Sequence, residues 1–304
     1  MSIDMIPFEA EALLDWIELT EAIVAGHRMP KAELADTFLY REPDTLLTRA
    51  AWIDGMGIAV KSATVFPENP ADRVQKINGA VNLYSDDHGT LEAIVDFHLV
   101  TKWKTAADSL LGARLLARPD SRNILIVGAG TVARSLRQAY GQAFPHASFQ
   151  VWNRTPAGAE DLASHFSDTL IATDLEAAVM ASDIVACATM TREPIIEGAW
   201  LQPGQHIDLI GAFRSDMREA DDEALRRARI FMDNRETVLD HIGELKIPLE
   251  AGVVTREDVQ GDYYDIEAGA FRRAPDDITL FKNGGGAHLD LMTSRYILEK
   301  WKTR

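Results

Sequence analysis

The sequence predicts an α/β fold: a Rossmann-type, doubly wound parallel sheet together with a second domain of α+β type. A short apolar run at residues 124–127, typical of a buried strand, leads into a glycine-rich turn and a helix-forming segment. Beyond it, short apolar runs alternate with helical segments, as they do in parallel sheets. Before about residue 119 the pattern instead favours strands of a separate sheet.

The parallel sheet is predicted from a series of strands and helices that follow one another along the chain. Its further strands are expected at residues 148–152, 169–172, 183–188, 206–210 and 230–232. The helices are expected at residues 132–143, 157–166, 175–181 and 221–228. We assign residues 119–283 to this domain, because crossover helices between strands make neighbouring strands parallel.

The second domain is predicted from both ends of the chain. Strands are expected at residues 45–52, 58–66 and 79–84, with a hairpin turn at residues 86–89. A long helix at 99–117 ends before Pro119, and a helix at 287–301 is expected to pack back on this N-terminal domain. We assign residues 1–118 and 284–304 to this domain.

The turn after the first buried strand has the form Gly-x-Gly-x-x-Ala. Gly128 permits a tight turn, Gly130 lets the main chain approach a pyrophosphate, and Ala133 allows close packing of helix and strand. The helix N-terminus then binds the phosphates. The flanking strand and helix support a dinucleotide site, although such a motif alone is weak.

The residues after the second strand of this domain indicate which dinucleotide binds. NAD-binding folds place an acid there, whereas this chain has Asn153, Arg154 and Thr155. Arg154 can pair with a 2′-phosphate, and its neighbours can donate hydrogen bonds. We therefore expect NADPH, with NADH binding more weakly; the alternative is an ordinary polar turn.

Composition excludes several classes of protein. The 304 residues carry a formal net charge of −16, with no basic face for nucleic acid or an anionic membrane. No apolar run reaches membrane-spanning length, and the acidic N-terminus is unlike a secretory signal, so we expect a cytoplasmic protein. Cys187 is the single cysteine, which excludes an internal disulfide and favours a buried core thiol.

Three cations are candidates for binding an anionic substrate. Lys61 stands within an apolar strand, where its charge requires an anion such as a carboxylate ligand; the alternative is an edge-strand lysine that reaches solvent. Arg49, in the preceding strand, has the same two interpretations, and Lys104 by itself would most often be a surface charge. His288 is more easily explained as a surface histidine than as a catalytic one, and the histidine spacing predicts no metal site.

Several separated motifs together resemble the ornithine cyclodeaminase and mu-crystallin family over essentially the whole chain. The motifs lie at residues 60–61, 64–69, 104–107, 127–130, 152–155, 210–213 and 284–290. The resemblance implies a homodimer paired through the N-terminal sheet, a nucleotide-binding domain and a substrate pocket between domains. It also implies chemistry on the imine form of an amino acid.

The resemblance assigns roles to individual positions. Lys61 matches the active-site lysine, which contacts the substrate carboxylate near the reacting nitrogen and is the expected catalytic residue. Lys104 stands where many members have a carboxylate-binding arginine, and Arg49 stands where methionine is usual. The expected substrate-binding residues are Arg49, Lys61, Lys104, Phe213 and Gly285. The expected cofactor-binding residues are Gly128, Ala129, Gly130, Thr131, Val132, Ala133, Asn153, Arg154, Thr155 and Thr189.

Phe213 separates this chain from true cyclodeaminases, which have a catalytic aspartate there. A phenyl ring cannot act as acid or base. The segment instead resembles the ketimine reductases of the family, which implies NADPH-dependent reduction of a small cyclic imino acid. The expected substrate is Δ1-pyrroline-2-carboxylate, giving L-proline, or its six-membered analogue Δ1-piperideine-2-carboxylate, giving L-pipecolate. The alternatives are an alanine-dehydrogenase-like activity, ornithine cyclodeamination, and NADPH or ligand binding without catalysis.

Overall fold

The computed structural model of the chain describes residues 3–304, leaving aside the side chain of residue 70. Contacts between residues divide it into two compact units. Unit 1 comprises Met1–Lys104 and Gly286–Arg304, and unit 2 comprises Thr105–Gly285. The division falls inside a helix, whereas the sequence places the domain boundary after that helix.

The described part of unit 1 is built on a mostly antiparallel sheet. Its strands are β1 (Asp4–Ile6), β2 (Glu33–Arg41), β3 (Asp44–Ile53), β4 (Gly57–Val65), β5 (Ile77–Tyr84) and β6 (Leu91–Asp96). They are ordered β1-β6-β5-β4-β3-β2, and the β1 and β6 pair is parallel. Helix α1 (Trp16–His27) is capped by Asp15, whose carboxylate accepts hydrogen bonds from the main-chain N–H groups of Ile17 and Glu18. Short 3-10 helices lie at Phe8–Leu13 and Asn69–Asp72.

The last helix of the chain completes this unit. Helix α9 (Ala287–Lys302) packs against β3, β4, β5 and α1. Side chains of β4 alternate between a buried and a half-buried face, and Ala59, Lys61 and Ala63 share the buried one. The period of two that defines a strand therefore places a lysine on the covered face of the sheet.

Helix α2 (Phe97–Leu116) passes from unit 1 into unit 2. The described strands of unit 2 are β7 (Asn123–Val127), β8 (Ser148–Trp152), β9 (Thr169–Ile171), β10 (Ile184–Cys187), β11 (His206–Leu209), β12 (Arg229–Met232), β13 (Val259–Gly261) and β14 (Thr279–Lys282). They are all paired in parallel, in the order β13-β12-β14-β11-β10-β7-β8-β9. The order reverses at β7, and ligands of open α/β sheets bind outside the carboxyl ends of strands at such a point.

Helices connect these strands. They are α3 (Thr131–Ala143), α4 (Pro156–His165), α5 (Leu175–Ala181), α6 (Asp222–Arg227), α7 (Arg235–Val238) and α8 (Gly243–Glu250). Short 3-10 helices occur at Gly198–Trp200, Arg256–Asp258 and Tyr263–Asp265. Each predicted strand and helix is present to within a few residues at its ends, where fraying blurs the signal.

The sequence patterns miss several elements. In unit 1 they miss β1, β2, β6 and α1, and in unit 2 they miss α7, α8, β13 and β14. Strand β14 lies inside the sheet between β11 and β12. Lys282 in β14 is fully buried and donates to the main-chain oxygen of Leu209 at 2.8 Å. A charged residue in so short a run hides a buried strand from an analysis of hydrophobic pattern.

Candidate active site and cofactor cavity

The glycine-rich turn of unit 2 leads from β7 into α3. Gly128 has a φ of 106°, and a Cβ there would lie 2.7 Å from the main-chain oxygen of Ala188. Gly130 is the N-cap of α3, and a Cβ on it would meet nothing within 4 Å. Since the first N–H groups of a helix lack acceptors within it, this open N-terminus fits a pyrophosphate.

A cavity of about 400 Å³ opens at this turn. Its lining residues are Gly128, Ala129, Gly130, Trp152, Asn153, Arg154, Thr155, Ala188, Thr189, Met190, Thr191 and Ile195. Seven of the ten residues expected to bind the cofactor line this cavity. The other three, Thr131, Val132 and Ala133, form the first turn of α3, where Ala133 is fully buried.

The loop after β8 forms one side of the cavity. The side-chain amide of Asn153 donates to the main-chain oxygen of Thr155 at 2.8 Å, which closes the turn. Arg154 is exposed on this turn. An exposed guanidinium on a fixed turn whose described residues 153–155 include no acid is suited to a phosphate on the ribose.

Lys61 is the centre of a charged cluster within unit 1. The residue is buried, with 6% of its surface exposed, and it lies on a strand inside the sheet. Its ammonium group donates to Oγ1 of Thr101 at 2.8 Å and to Oδ1 of Asp290 at 2.9 Å. It also lies 4.7 Å from the centre of the Phe97 ring. The alternative of an edge-strand lysine that reaches solvent is therefore wrong.

The two partners of this ion pair have shifted pKa values. Burial lowers the pKa of Lys61 to about 8, although the Asp290 carboxylate opposes the shift. Burial alone would raise the pKa of Asp290, but the charges of Lys61, Lys104 and Arg49 hold it below its usual value. Lys61 is thus mostly protonated at pH 7 and close to the pH at which it can release a proton.

The other two candidate cations of unit 1 contribute to the same electrostatic cluster. Arg49 lies opposite Lys61 in the register of β3 and β4, and its guanidinium pairs with Asp36 at 2.7 Å. Lys104 is buried on α2, contrary to the expectation of a surface charge. A hydrophobic environment crowded with cations favours an anionic ligand.

The remaining predicted residues lie in different places. His288 is buried in unit 1, where its ring lies 5.2 Å from that of His27, so the interpretation as a surface histidine is wrong. Burial, followed by the neighbouring His27 and Lys104, lowers its pKa well below the usual value. In unit 2, Phe213 is largely exposed, and the main-chain N–H of Gly285 donates to Asp233 at 2.7 Å. Cys187 is buried, as predicted.

Sequence analysis missed two acids at these sites. Asp290, the partner of Lys61, lies in the first turn of α9. It is 229 residues from Lys61 along the chain. The 284–290 motif ends on Asp290, but nothing in the sequence indicated that its carboxylate is buried against Lys61. Glu219 accepts hydrogen bonds from the main-chain N–H and hydroxyl of Thr189, a cavity residue. It ends the segment 216–219 that follows the Phe213 motif, but no local pattern indicates its burial or its hydrogen-bond partners.

Comparison with known proteins identifies the family to which this chain belongs. The sequence profile of the ornithine cyclodeaminase/mu-crystallin family matches residues 50–304. The chain belongs to that family. Within the family, it is 51% identical over 296 residues to the Δ1-pyrroline-2-carboxylate reductase of Paracoccus denitrificans, covering 95% of this chain and 94% of that protein. The family resemblance predicted from separated motifs is confirmed.

Two solved structures are similar to this chain over almost its whole length. A Δ1-pyrroline-2-carboxylate reductase of Thermococcus litoralis, in complex with NADH and L-proline, matches with a TM-score of 0.90 and 26% identity, covering 99% of this chain and 98% of that one. An archaeal alanine dehydrogenase dimer with bound NAD matches with a TM-score of 0.90 and 25% identity, covering 100% and 97%. The predicted fold class is confirmed.

None of the helices described between residues 3 and 304 is both long and apolar enough to cross a membrane. Over the same residues, His, Cys, Asp and Glu side chains form no group of three or more that could hold a metal ion.

Proposed function

We propose that this protein is an NADPH-dependent reductase of cyclic ketimine carboxylates that converts Δ1-pyrroline-2-carboxylate to L-proline. The six-membered Δ1-piperideine-2-carboxylate, which would give L-pipecolate, is a further substrate of the same class. The observation that carries the proposal is the buried ammonium of Lys61, held by Asp290 and Thr101 amid further cations. The similarity to the Paracoccus reductase supports the reaction class.

Lys61 has the donors that this reaction needs. An ammonium group carries three N–H donors, and Thr101 and Asp290 accept two of them. The third is available to the substrate, either to its carboxylate or to its imine nitrogen. A pKa of about 8 suits both roles, because the group is charged at neutral pH and can still transfer a proton. A protonated imine is the better hydride acceptor.

The surrounding charges favour the carboxylate of the substrate. Asp290 balances one positive charge, while Lys104 and Arg49 add to the positive field at the same carboxylate. Binding an anion there offsets repulsion among the cations. When bound, the nicotinamide cofactor supplies the hydride. The role of unit 2 is to hold that cofactor through the open N-terminus of α3 and the loops that line the cavity.

We propose a preference for NADPH over NADH. The Thermococcus reductase contains NADH and the archaeal alanine dehydrogenase contains NAD, which supports a nicotinamide cofactor. For this chain, the exposed Arg154 and the absence of an acid at residues 153–155 of the described loop support recognition of the 2′-phosphate.

We also propose that the protein is a homodimer paired through β2. Its proposed location is the cytoplasm. This edge strand is exposed on both faces, and Phe38, Leu39 and Tyr40 are between 47% and 69% exposed. A long apolar edge strand is prone to pair with another chain unless it is covered. A second copy of this chain would cover it.

The test is an assay of NADPH oxidation across three sets of compounds: both cyclic ketimines, ammonia with 2-keto acids, and ornithine assayed for ammonia release. We expect turnover with the ketimines. Ammonium-dependent oxidation with pyruvate would instead indicate an alanine-dehydrogenase-like activity, which the likeness to the archaeal enzyme makes the second candidate. Ammonia release from ornithine at a comparable rate would contradict the interpretation of Phe213. Cofactor binding without turnover would indicate a binding protein.

A further inference from the structure

A buried carboxylate joins two loops at the cofactor cavity. The side chain of Glu219 is fully buried. Its Oε1 accepts hydrogen bonds from the main-chain N–H of Thr189 at 2.7 Å and from the Thr189 hydroxyl at 2.9 Å. Its Oε2 accepts from the main-chain N–H groups of Gly211 at 2.6 Å and Ala212 at 3.3 Å. The loop after β10 is thus fastened to the loop after β11.

The loop after β10 is also enclosed by main chain on both sides. A Cβ on Gly128 would come within 2.7 Å of Ala188, and a Cβ on Gly211 would overlap the main chain of Thr189. Ala188 and Thr189 both line the cavity. Because the glycine-rich turn and the 211–212 loop lie directly against this segment, a small displacement of Thr189 changes the shape of the cavity.

Only a carboxylate satisfies this set of donors. Four donors converge on Glu219, and an amide in its place would turn an NH₂ group toward main-chain N–H groups. A second acid supports the first, since the main-chain N–H groups of Glu219 and Ala220 donate to Glu244 at 2.7 and 3.0 Å. Burial, together with the Glu219 charge, raises the pKa of Glu244 to about 7. Burial also raises the pKa of Glu219, and the charge of Lys282 opposes the rise at both acids.

We propose that Glu219 is a positioning residue for the cofactor, which holds Thr189 and the 211–212 loop where the cavity fits a nicotinamide dinucleotide. The inference rests on the proposed function only in taking this cavity as the cofactor site. It predicts that Glu219 affects NADPH and NADH equally, since it acts on the shape of the cavity and not on the ribose phosphate.

The test is Glu219→Gln, measured by titration of the free enzyme with NADPH and with NADH, following tryptophan fluorescence. Trp152 lines the cavity and supplies a local signal. We expect both dissociation constants to rise about tenfold, the factor carried by one charge-assisted hydrogen bond. The KM of the ketimine at saturating cofactor should change less than twofold. The thermal midpoint without cofactor is recorded for every variant.

Asp221→Asn is the matched control. Asp221 also binds two main-chain N–H groups in unit 2, those of Gly198 at 2.9 Å and Ala224 at 2.8 Å, but it does not line the cavity. It should lower the thermal midpoint and leave both dissociation constants unchanged. Unchanged cofactor binding in Glu219→Gln would overturn the inference, and so would an equal loss of affinity in the control.

Thr189→Val provides a second test if Glu219→Gln does not fold. This change removes the hydroxyl donor but keeps the main-chain hydrogen bond, so we expect about threefold weaker binding of both cofactors at an unchanged thermal midpoint. Unchanged affinity would refute the inference. If the proposed function is wrong but this inference is right, the protein binds the cofactor in a way that depends on Glu219 and turns over no ketimine. A wild-type protein that binds neither cofactor overturns the inference itself.

Discussion

Replacing Lys61 with methionine tests whether its buried charge is both catalytic and structural. Lys61 is 6% exposed, and its ammonium pairs with Asp290, which is 1% exposed. Lys61→Met should abolish ketimine reduction, because methionine neither pairs with a carboxylate nor donates a proton. Loss of the proton donor alone corresponds to about 10²–10⁴ in rate. The remaining Asp290 charge would be buried without its counter-ion, which costs about 3–5 kcal/mol in the free energy of unfolding.

A second substitution separates the two effects. In Lys61→Met/Asp290→Asn, the buried anion is removed together with the cation. We therefore expect most of the lost stability to return, while turnover stays absent. Lys300→Met is the surface control, since Lys300 forms an ion pair with Glu18 at 2.6 Å near solvent. Lys300→Met should lower the free energy of unfolding by less than about 1 kcal/mol and leave the reductase activity intact.

The pH dependence gives an independent check. Without Lys61, burial should raise the pKa of Asp290 above its unfolded value. A raised pKa contributes stability at low pH that is lost as the pH rises through it. The stability deficit of Lys61→Met should therefore be larger at pH 8 than at pH 5 in urea denaturation. A single variant as stable as the wild type, or a double variant that reduces ketimines, would refute this reasoning.

Three further changes test other parts of the protein. Arg154→Ala should weaken the binding of NADPH about tenfold or more and leave the binding of NADH nearly unchanged, as measured by fluorescence titration of the free enzyme. Equal losses of affinity for both cofactors would show that Arg154 does not bind the phosphate. Burial raises the pKa of Asp208 to about 7, although the Tyr140 hydroxyl donates a hydrogen bond to it at 2.7 Å. Protonated Asp208 therefore stabilises the folded state at low pH, and this contribution is lost as the pH rises from about 4 to about 7. Asp208→Asn should therefore gain stability relative to the wild type as the pH rises from 5 to 8, and a difference that does not vary with pH would contradict this. Replacing Leu39 and Tyr40 with serine should yield monomers in sedimentation; unchanged mass would exclude β2 as the interface.

Short-range patterns in the sequence determined much of unit 2. The buried-strand run of β7, the turn at Gly128 and Gly130, and the start of α3 follow one another within 11 residues, residues 123–133. Each depends on steric demands of its own segment, so the cofactor motif and the alternation of strands and helices were predictable. The family resemblance, carried by several such motifs, gave the reaction class.

Only the tertiary structure decided the surroundings of the charged residues. A lysine in an apolar strand is equally compatible with solvent or with a buried partner, and the choice depended on Asp290 from the other end of the chain. The same holds for Glu219, whose four donors come from two loops that the sheet brings together. Burial and hydrogen-bond partners are properties of packing between distant segments, and they set the free energy of a charge far more than its neighbours in sequence do.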